Sequence, residues 1–281
     1  MRIIEHIEEM RSWSETERRA GRRIVLVPTM GSLHGGHLSL VRDGKRRGDR
    51  LVVSLFVNPT QFGPQEDYAS YPRDFERDRS LLEREGTDVM FSPSAGEMYP
   101  AGHQSYVEVG KLGEQLCGVF RPGHFRGVAT VVAKLFNIAE PHAAIFGEKD
   151  YQQLRVIRRM ARDLNLGVEV VGHPTVRAPD GLALSSRNSY LSDAERQAAL
   201  SLCRALNKAE ALALAGEKES GRILDAARAE IEKEPLARIQ YAKLCHPETL
   251  EDVEKIESEA VLALAVFVGK TRLIDNTVLK A

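Results

Sequence analysis

In the N-terminal part of the chain, short and nearly continuous apolar runs alternate with longer stretches whose apolar residues recur at helical spacing. Ile24–Val27 and Leu51–Val57 are runs of the first kind, as expected of strands buried on both faces. Between them, 37–47 predicts a helix ending near Gly48, and 74–85 a charged amphipathic helix with Phe75, Leu81 and Leu82 inward, stopped by Gly86. Val89–Phe91 resumes as a strand. Residues 125–138 place Val128, Val131, Val132, Leu135 and Phe136 on one helical face, and a strand at 143–146, a helix at 151–164 and a strand at 168–171 follow. Repeated β-α-β units predict an α/β fold: a Rossmann-like parallel sheet with helices on both faces. Ligands of such sheets bind at the carboxyl ends of the strands.

The pattern changes near residue 176. Residues 193–215, rich in alanine, leucine and charge, predict one long helix, and 221–233 a second, stopped before Pro235. Residues 239–245, 261–268 and 272–275 read as antiparallel strands. The expected organisation is a Rossmann-like domain over 1–175 and a smaller α+β lid domain over 176–281, without internal repeats or low-complexity segments.

At 281 residues the chain can bury a sizeable core, and its 43% hydrophobic and 28% charged residues are ordinary for a globular protein. A net charge of −1 gives no long-range pull on nucleic acid or an anionic membrane. Any polyanion must be held by local grouping of positive groups. Cys117, Cys203 and Cys245 form no C-x-x-C pair and are odd in number, which argues against a disulfide framework and for a reducing compartment. The N-terminus mixes acids into its apolar pattern, unlike a signal peptide, and the run from Ala260 to Val268 is too short to span a bilayer. A cytoplasmic location is expected.

The chemistry concentrates where strands end. Val27-Pro28-Thr29-Met30-Gly31-Ser32-Leu33-His34-Gly35-Gly36-His37 runs from a strand through a glycine-rich turn into a helix start. A helix start offers unpaired N–H groups and the positive dipole end, and glycine lets a phosphate approach the backbone. His34 and His37 can then donate to triphosphate oxygens; a turn with two surface histidines is the plainer alternative. Their spacing also suits zinc, but no third ligand stands nearby in sequence, so no metal site is assigned. Phe146-Gly147-Glu148-Lys149-Asp150-Tyr151 repeats the strand-to-helix geometry, with Lys149 in reach of a phosphate, Asp150 equally suited to an N-cap, and Gln152 and Gln153 in the first helical turn. Val57-Asn58-Pro59-Thr60-Gln61-Phe62-Gly63 offers Gln61 as a polar group beside an apolar side chain. Asp180-Gly181-Leu182-Ala183-Leu184-Ser185-Ser186-Arg187-Asn188 sets two serines beside an arginine able to follow a departing pyrophosphate, and no nucleophile-elbow pattern surrounds the serines. Arg121-Pro122-Gly123-His124-Phe125-Arg126 is a basic loop that either covers a site or is a solvated turn.

These segments, with Tyr71-Pro72-Arg73-Asp74 between them, resemble in order and spacing the pantothenate synthetase family, nucleotidyl-transferring enzymes that share a His-x-Gly-His signature with class I aminoacyl-tRNA synthetases. The likeness spans Val27 to Asn188. Gly35 replaces an acidic residue frequent between the signature histidines, and Leu184 stands where methionine is common. The resemblance implies that Met30, Gly31, Ser32, Leu33, His34, Gly35, Gly36 and His37 line an ATP site, with His34 and His37 on the phosphates and His37 the catalytic acid. It implies that Gly147, Glu148, Lys149 and Asp150 also bind ATP, Lys149 at the phosphate and Asp150 at the ribose. Val176 would help hold adenine, and Leu184, Ser185, Ser186 and Arg187 would form a mobile loop closing on the triphosphate. Gln61 and Gln153 would hold pantoate, Gln61 also lying near β-alanine, with Asn58 in support. Magnesium would arrive with ATP, and a homodimer is expected. The rival readings are a nucleotidyltransferase for a phosphate-bearing acceptor, which needs further cations; a tRNA-charging enzyme, which needs a basic RNA-binding module; and a regulator that holds ATP without chemistry.

Overall fold

A computed structural model describes residues 1–64 and 66–280. The chain divides into two compact units. The first holds Met1–Gly113, Arg121–Glu148 and Gln153–Pro174; the second holds Glu114–Phe120, Lys149–Gln152 and the chain from Thr175 onward.

The first unit is built on a six-stranded sheet whose strands all pair parallel: β1 (Arg2–Ile4), β2 (Ile24–Thr29), β3 (Arg50–Leu55), β4 (Val89–Phe91), β5 (Ala143–Gly147) and β6 (Glu169–His173). Their spatial order is β1-β4-β3-β2-β5-β6, so the chain winds outward in opposite directions from β2 and β5. A reversal of this kind marks the place, at the carboxyl ends of the two strands, where such sheets bind ligands. The connecting helices are α1 (Ile7–Arg19), α2 (Gly35–Arg47), α3 (Phe75–Arg84), the short turns α4 (Ala95–Met98) and α5 (Gly110–Glu114), then, after the turn α6 (Cys117–Phe120) of the second unit, α7 (His124–Ala139) and α8 (Tyr151–Asp163), whose first two residues also fall in the second unit. Val25, Val27, Leu51, Val53, Met90 and Ile145 are buried with Leu40, Val41 and Leu82 of α2 and α3 in one core. Each such side chain is worth about 1.5–3 kcal/mol in apolar burial.

The predicted elements are all present, with shifted ends. β3 stops at Leu55: the Phe56 N–H makes the last bond to β2, at the carbonyl of Thr29, and Asn58 then caps a single helical turn. β1 and α1 are additions that the charged N-terminal pattern concealed. Phe75 is not inward: it is 39% exposed, because the inward position in the first turn of α3 goes to Asp78.

In the second unit, α9 (Asp193–Leu214) and α10 (Ser220–Glu232) pack with an antiparallel sheet of order β7 (Ala237–Cys245), β8 (Glu259–Val268), β9 (Thr271–Lys280). Ser192 and Glu195 form a reciprocal capping box at the start of α9. β9 runs past its predicted end at Asp275, pairing with β8 as far as Lys280, although Asn276 and Thr277 interrupt its apolar pattern. No helix among the described residues is long and apolar enough to cross a membrane.

The start of β2 depends on an imidazole. His142 Nδ1 accepts the Ile24 N–H at 3.0 Å, and the His142 backbone N–H donates to the Ile24 carbonyl at 2.9 Å. Burial lowers the His142 pKa, and the charges of Arg18 and Arg23 lower it further. A depressed histidine pKa contributes stability that is present above the unfolded value, about 6.5, and lost as pH falls through the folded value. The urea midpoint should therefore fall between pH 7.5 and about 5 in the parent and fall less in His142→Gln; parallel slopes would show that His142 carries none of this dependence.

Candidate functional site

Leaving β2, the backbone enters the left-handed region at Gly31 (φ 80°) and Ser32 (φ 51°). What holds it there comes from α3. Asp78, 1% exposed, accepts the N–H groups of Ser32 at 2.7 Å and Leu33 at 2.8 Å. Arg77 donates to the Leu33 carbonyl at 3.0 Å, and its guanidinium lies 3.8 Å from the Asp78 carboxylate. A Cβ at Gly31 would stand 3.1 Å from that carboxylate, so glycine suits both the turn and the close approach. Burial pushes the Asp78 carboxyl above the usual range, while the Leu33 and Ser32 N–H groups pull it part of the way back.

The turn delivers the chain to α2, whose cap is made by the two histidines. His34, the N-cap residue, accepts the Gly36 N–H on Nδ1 at 3.2 Å, and His37 Nδ1 accepts the His34 N–H at 3.4 Å. The rings stack with centroids 4.0 Å apart. This reciprocal cap compensates for the glycine pair that opens the helix. Because each Nδ1 lends its lone pair to an N–H, each neutral ring carries its hydrogen on Nε2 and presents it as a donor.

A second turn follows β3. Asn58 is 1% exposed; its Nδ2 donates to Gln61 Oε1 at 3.0 Å and to the Gly127 carbonyl at 3.1 Å, and its Oδ1 accepts from the Tyr99 hydroxyl at 2.9 Å. Gln61 Nε2 in turn donates to Met30 Sδ at 3.1 Å, which brings Gln61 against the histidine loop. The basic loop at 121–126 serves as a buttress. His124 Nδ1 donates to the Gln61 carbonyl at 2.8 Å, and Arg121 holds His124 Nε2 at 3.0 Å and both Glu66 oxygens at 2.6 Å. Burial by itself would raise Glu66, but Arg121's hydrogen bonds and charge and the Gly63 N–H hold it below the usual carboxylate range. α7 sits so close to this turn that a Cβ on Gly127 would stand 2.4 Å from the Thr60 carbonyl oxygen.

Gly147 ends β5, beside β2, and a Cβ placed on it meets nothing within 4 Å. Glu148 follows it, and Gln153 lies half-buried in the first turn of α8. These residues belong to the first unit together with Met30–His37, Asn58 and Gln61. Lys149, Asp150, Val176 and Leu184–Arg187 belong to the second. There the Val176 carbonyl accepts the Leu184 N–H at 2.9 Å, and Ser185 Oγ accepts the Arg187 N–H at 3.3 Å, capping the helical turn Ser186–Tyr190. Among the described residues no three His, Cys, Asp or Glu side chains group so as to hold a metal ion.

The profile of the pantoate-β-alanine ligase family matches residues 2–278. The chain belongs to this family. It is 57% identical to the pantothenate synthetase of Syntrophus aciditrophicus (strain SB) over 99% of this chain and 97% of the relative. It is also 57% identical to that of Thermotoga petrophila, over 99% and 100%. The crystal structure of pantothenate synthetase from Thermus thermophilus superposes with a TM-score of 0.94 at 48% identity, covering 99% of both chains. The pantoate-β-alanine ligase of Francisella tularensis, solved in complex with β,γ ATP and β-alanine, superposes with a TM-score of 0.82 at 33% identity, covering 99% and 97%.

Within this ligase, Asp78 and Tyr99 shape the candidate site without having been singled out in the sequence, while Arg121 and His124, in the loop read as a cover or a solvated turn, instead support the Gln61 turn. Asp78 left one trace in the sequence: it stands four residues before Leu82, on the apolar face of α3. Asp78→Ala takes the acceptor from two backbone N–H groups and should lower the unfolding free energy by about 1–3 kcal/mol. Urea titration checks this, and pantoate-dependent pyrophosphate–ATP exchange should slow in the same variant. Parent-like values in both would remove Asp78 from the loop's support.

Proposed function

We infer that this ligase condenses pantoate with β-alanine to give pantothenate, consuming ATP and passing through pantoyl adenylate. Family membership across the whole chain supports the reaction, and the reciprocal histidine cap of α2 carries the reading of the site. It turns two Nε2–H groups into fixed donors at a helix start, next to the sheet's switch point, where triphosphate oxygens are best received.

In the first half-reaction a pantoate carboxylate oxygen attacks the α-phosphorus of ATP. A P–O bond forms, the bond to the bridging oxygen breaks, and its electron pair leaves with pyrophosphate. The carboxylate is already ionised at neutral pH, so no general base is needed. Catalysis then rests on alignment and on stabilising charge at the leaving group. In this reading His34 and His37 donate to the phosphates, with His37 the acid, and Lys149 and Arg187 neutralise the departing pyrophosphate. Met30 through His37, Gly147 through Asp150, Val176 and Leu184 through Arg187 hold the nucleotide. Magnesium enters as part of the Mg²⁺–ATP substrate and supplies further positive charge. Gln61 and Gln153 hold pantoate, with Asn58 fixing the Gln61 amide. In the second half-reaction the free amine of β-alanine attacks the acyl carbon, the bond to the adenylate oxygen breaks, AMP leaves and the nitrogen sheds its proton. The reading further places the ligase in the cytoplasm as a homodimer with residues 176–281 as its lid.

Incubation with Mg²⁺–ATP, pantoate and β-alanine should yield pantothenate and AMP by mass spectrometry; ATP bound but never cleaved would make the chain a nucleotide-binding regulator instead. Lys149→Ala should slow pantoate-dependent pyrophosphate–ATP exchange about a hundredfold, the loss of roughly 3 kcal/mol of transition-state stabilisation. Near-parent exchange would refute the role given to Lys149.

A further inference from the structure

Two consecutive residues of β9, an edge strand of the second unit's sheet, grip two segments that are far apart in sequence. Asn276 Nδ2 donates to the Lys149 carbonyl at 2.8 Å. Asp275, 3% exposed, accepts from Arg177 Nη1 at 2.6 Å and Nη2 at 3.0 Å, and also accepts the Asn276 N–H at 2.9 Å. Arg177 is the foot of the serine–arginine loop. It bridges to Ala183 in the backbone and donates to the Gly181 carbonyl at 3.2 Å. Asn188 Nδ2 closes the same loop on the Ala183 carbonyl at 3.0 Å.

The Lys149 segment has anchors of its own kind in this unit. The Tyr151 hydroxyl donates to the Pro247 carbonyl at 3.1 Å, while Gln152 accepts the Cys117 N–H at 3.0 Å and donates to the Gln115 carbonyl at 2.6 Å. Lys149–Gln152 is thus fastened to the second unit, although Glu148 and Gln153 on either side of it belong to the first.

We propose that Asn276 is a positioning residue for Lys149, and that the Asp275–Asn276 pair mounts Lys149 and the serine–arginine loop on one support. The inference rests on the reading that Lys149 and Arg187 act on the triphosphate. A lysine side chain is a flexible stem ending in a point charge, so the peptide from which it springs decides where that charge is most often found. Asn276 fixes this peptide through its carbonyl, and Asp275 ties the same strand to the foot of the loop that bears Arg187. Spacing between the two cations is then set by β9, and an error of about 1 Å in such spacing costs up to about a hundredfold in rate.

The test follows each half-reaction separately: pantoate-dependent pyrophosphate–ATP exchange for adenylate formation, and aminolysis of supplied pantoyl adenylate by β-alanine. Asn276→Ala should slow exchange about tenfold and leave aminolysis unchanged. Asn276→Asp, of the same size but without amide hydrogens to donate, should lose at least as much, and serves as the second variant should alanine compromise folding. In a Lys149→Ala background, Asn276→Ala should cause no further loss of exchange, because residues acting through one another are not additive. Exchange within twofold of the parent, equal loss of both half-reactions, or a full tenfold loss persisting without Lys149 would each overturn the inference. Unimpaired exchange in Lys149→Ala alone would instead overturn the role of Lys149, and this inference with it.

Discussion

The hydrogen bonds from Ser32 and Leu33 to the buried Asp78 carboxylate are the constraint on which the histidine motif depends. β2 must end in a left-handed turn before α2 can begin, and Ser32 bears a steric penalty there that glycine would escape. A carboxylate is suited to holding such a turn because it offers two acceptor oxygens and no hydrogen, so two adjacent N–H groups are satisfied at once. Its burial is costly, and the two donors together with Arg77 offset that cost. α3 thereby fixes the exit from a strand in whose sheet it takes no part.

Once the turn is fixed, the cap of α2 selects its own chemistry. An ordinary cap residue such as serine commits its side chain to the helix and has little left to offer. A histidine caps with one nitrogen and retains the other. His34 and His37 use their Nδ1 atoms on backbone N–H groups at the helix start, which in a neutral ring puts the hydrogen on Nε2, near the positive end of the helix dipole. Stability of the helix start and readiness to meet an anion therefore come from the same two rings. The chain's net charge of −1 is no obstacle, since backbone N–H groups and the helix dipole are grouped locally at the start of α2.

The elements legible in the sequence were those that local pattern dictates. Strands β2, β3 and β5 announce themselves as apolar runs closed by glycine or proline turns, and the histidine motif stands directly after one of them. β1 and α1 stayed hidden because charged residues dilute their apolar positions, and Phe75 misled because a helix's first turn need not lie over the core that its later turns cover. The supports of the site were harder to read for a different reason. Asp78, Tyr99 and His124 act on backbone or amide groups remote in sequence, and Arg121 on the carboxylate of the distant Glu66, so nothing beside them marks those partners. Asn276 and Lys149 are the extreme case, joined at 2.8 Å across most of the second part of the chain.

The turn after β3 adds a last step, toward substrate choice. Asn58 makes four kinds of contact at once, with Thr60, Gln61, Tyr99 and Gly127, and so leaves the Gln61 amide only one way to face. With Gln61 Oε1 taken by Asn58, the partner of the amide's NH₂ in the structure is the thioether of Met30, and under the proposed function this NH₂ is the end that would meet pantoate. Sulfur of this kind is a weak acceptor. Exchanging it for an oxygen of a hydroxy acid surrenders little and gains a stronger hydrogen bond, whereas a phosphate would ask for a charge that neither Gln61 nor Asn58 carries. The pairing of a rigid amide with a soft, dispensable partner thus favours a small oxygen-rich acid and gives no advantage to a phosphorylated acceptor.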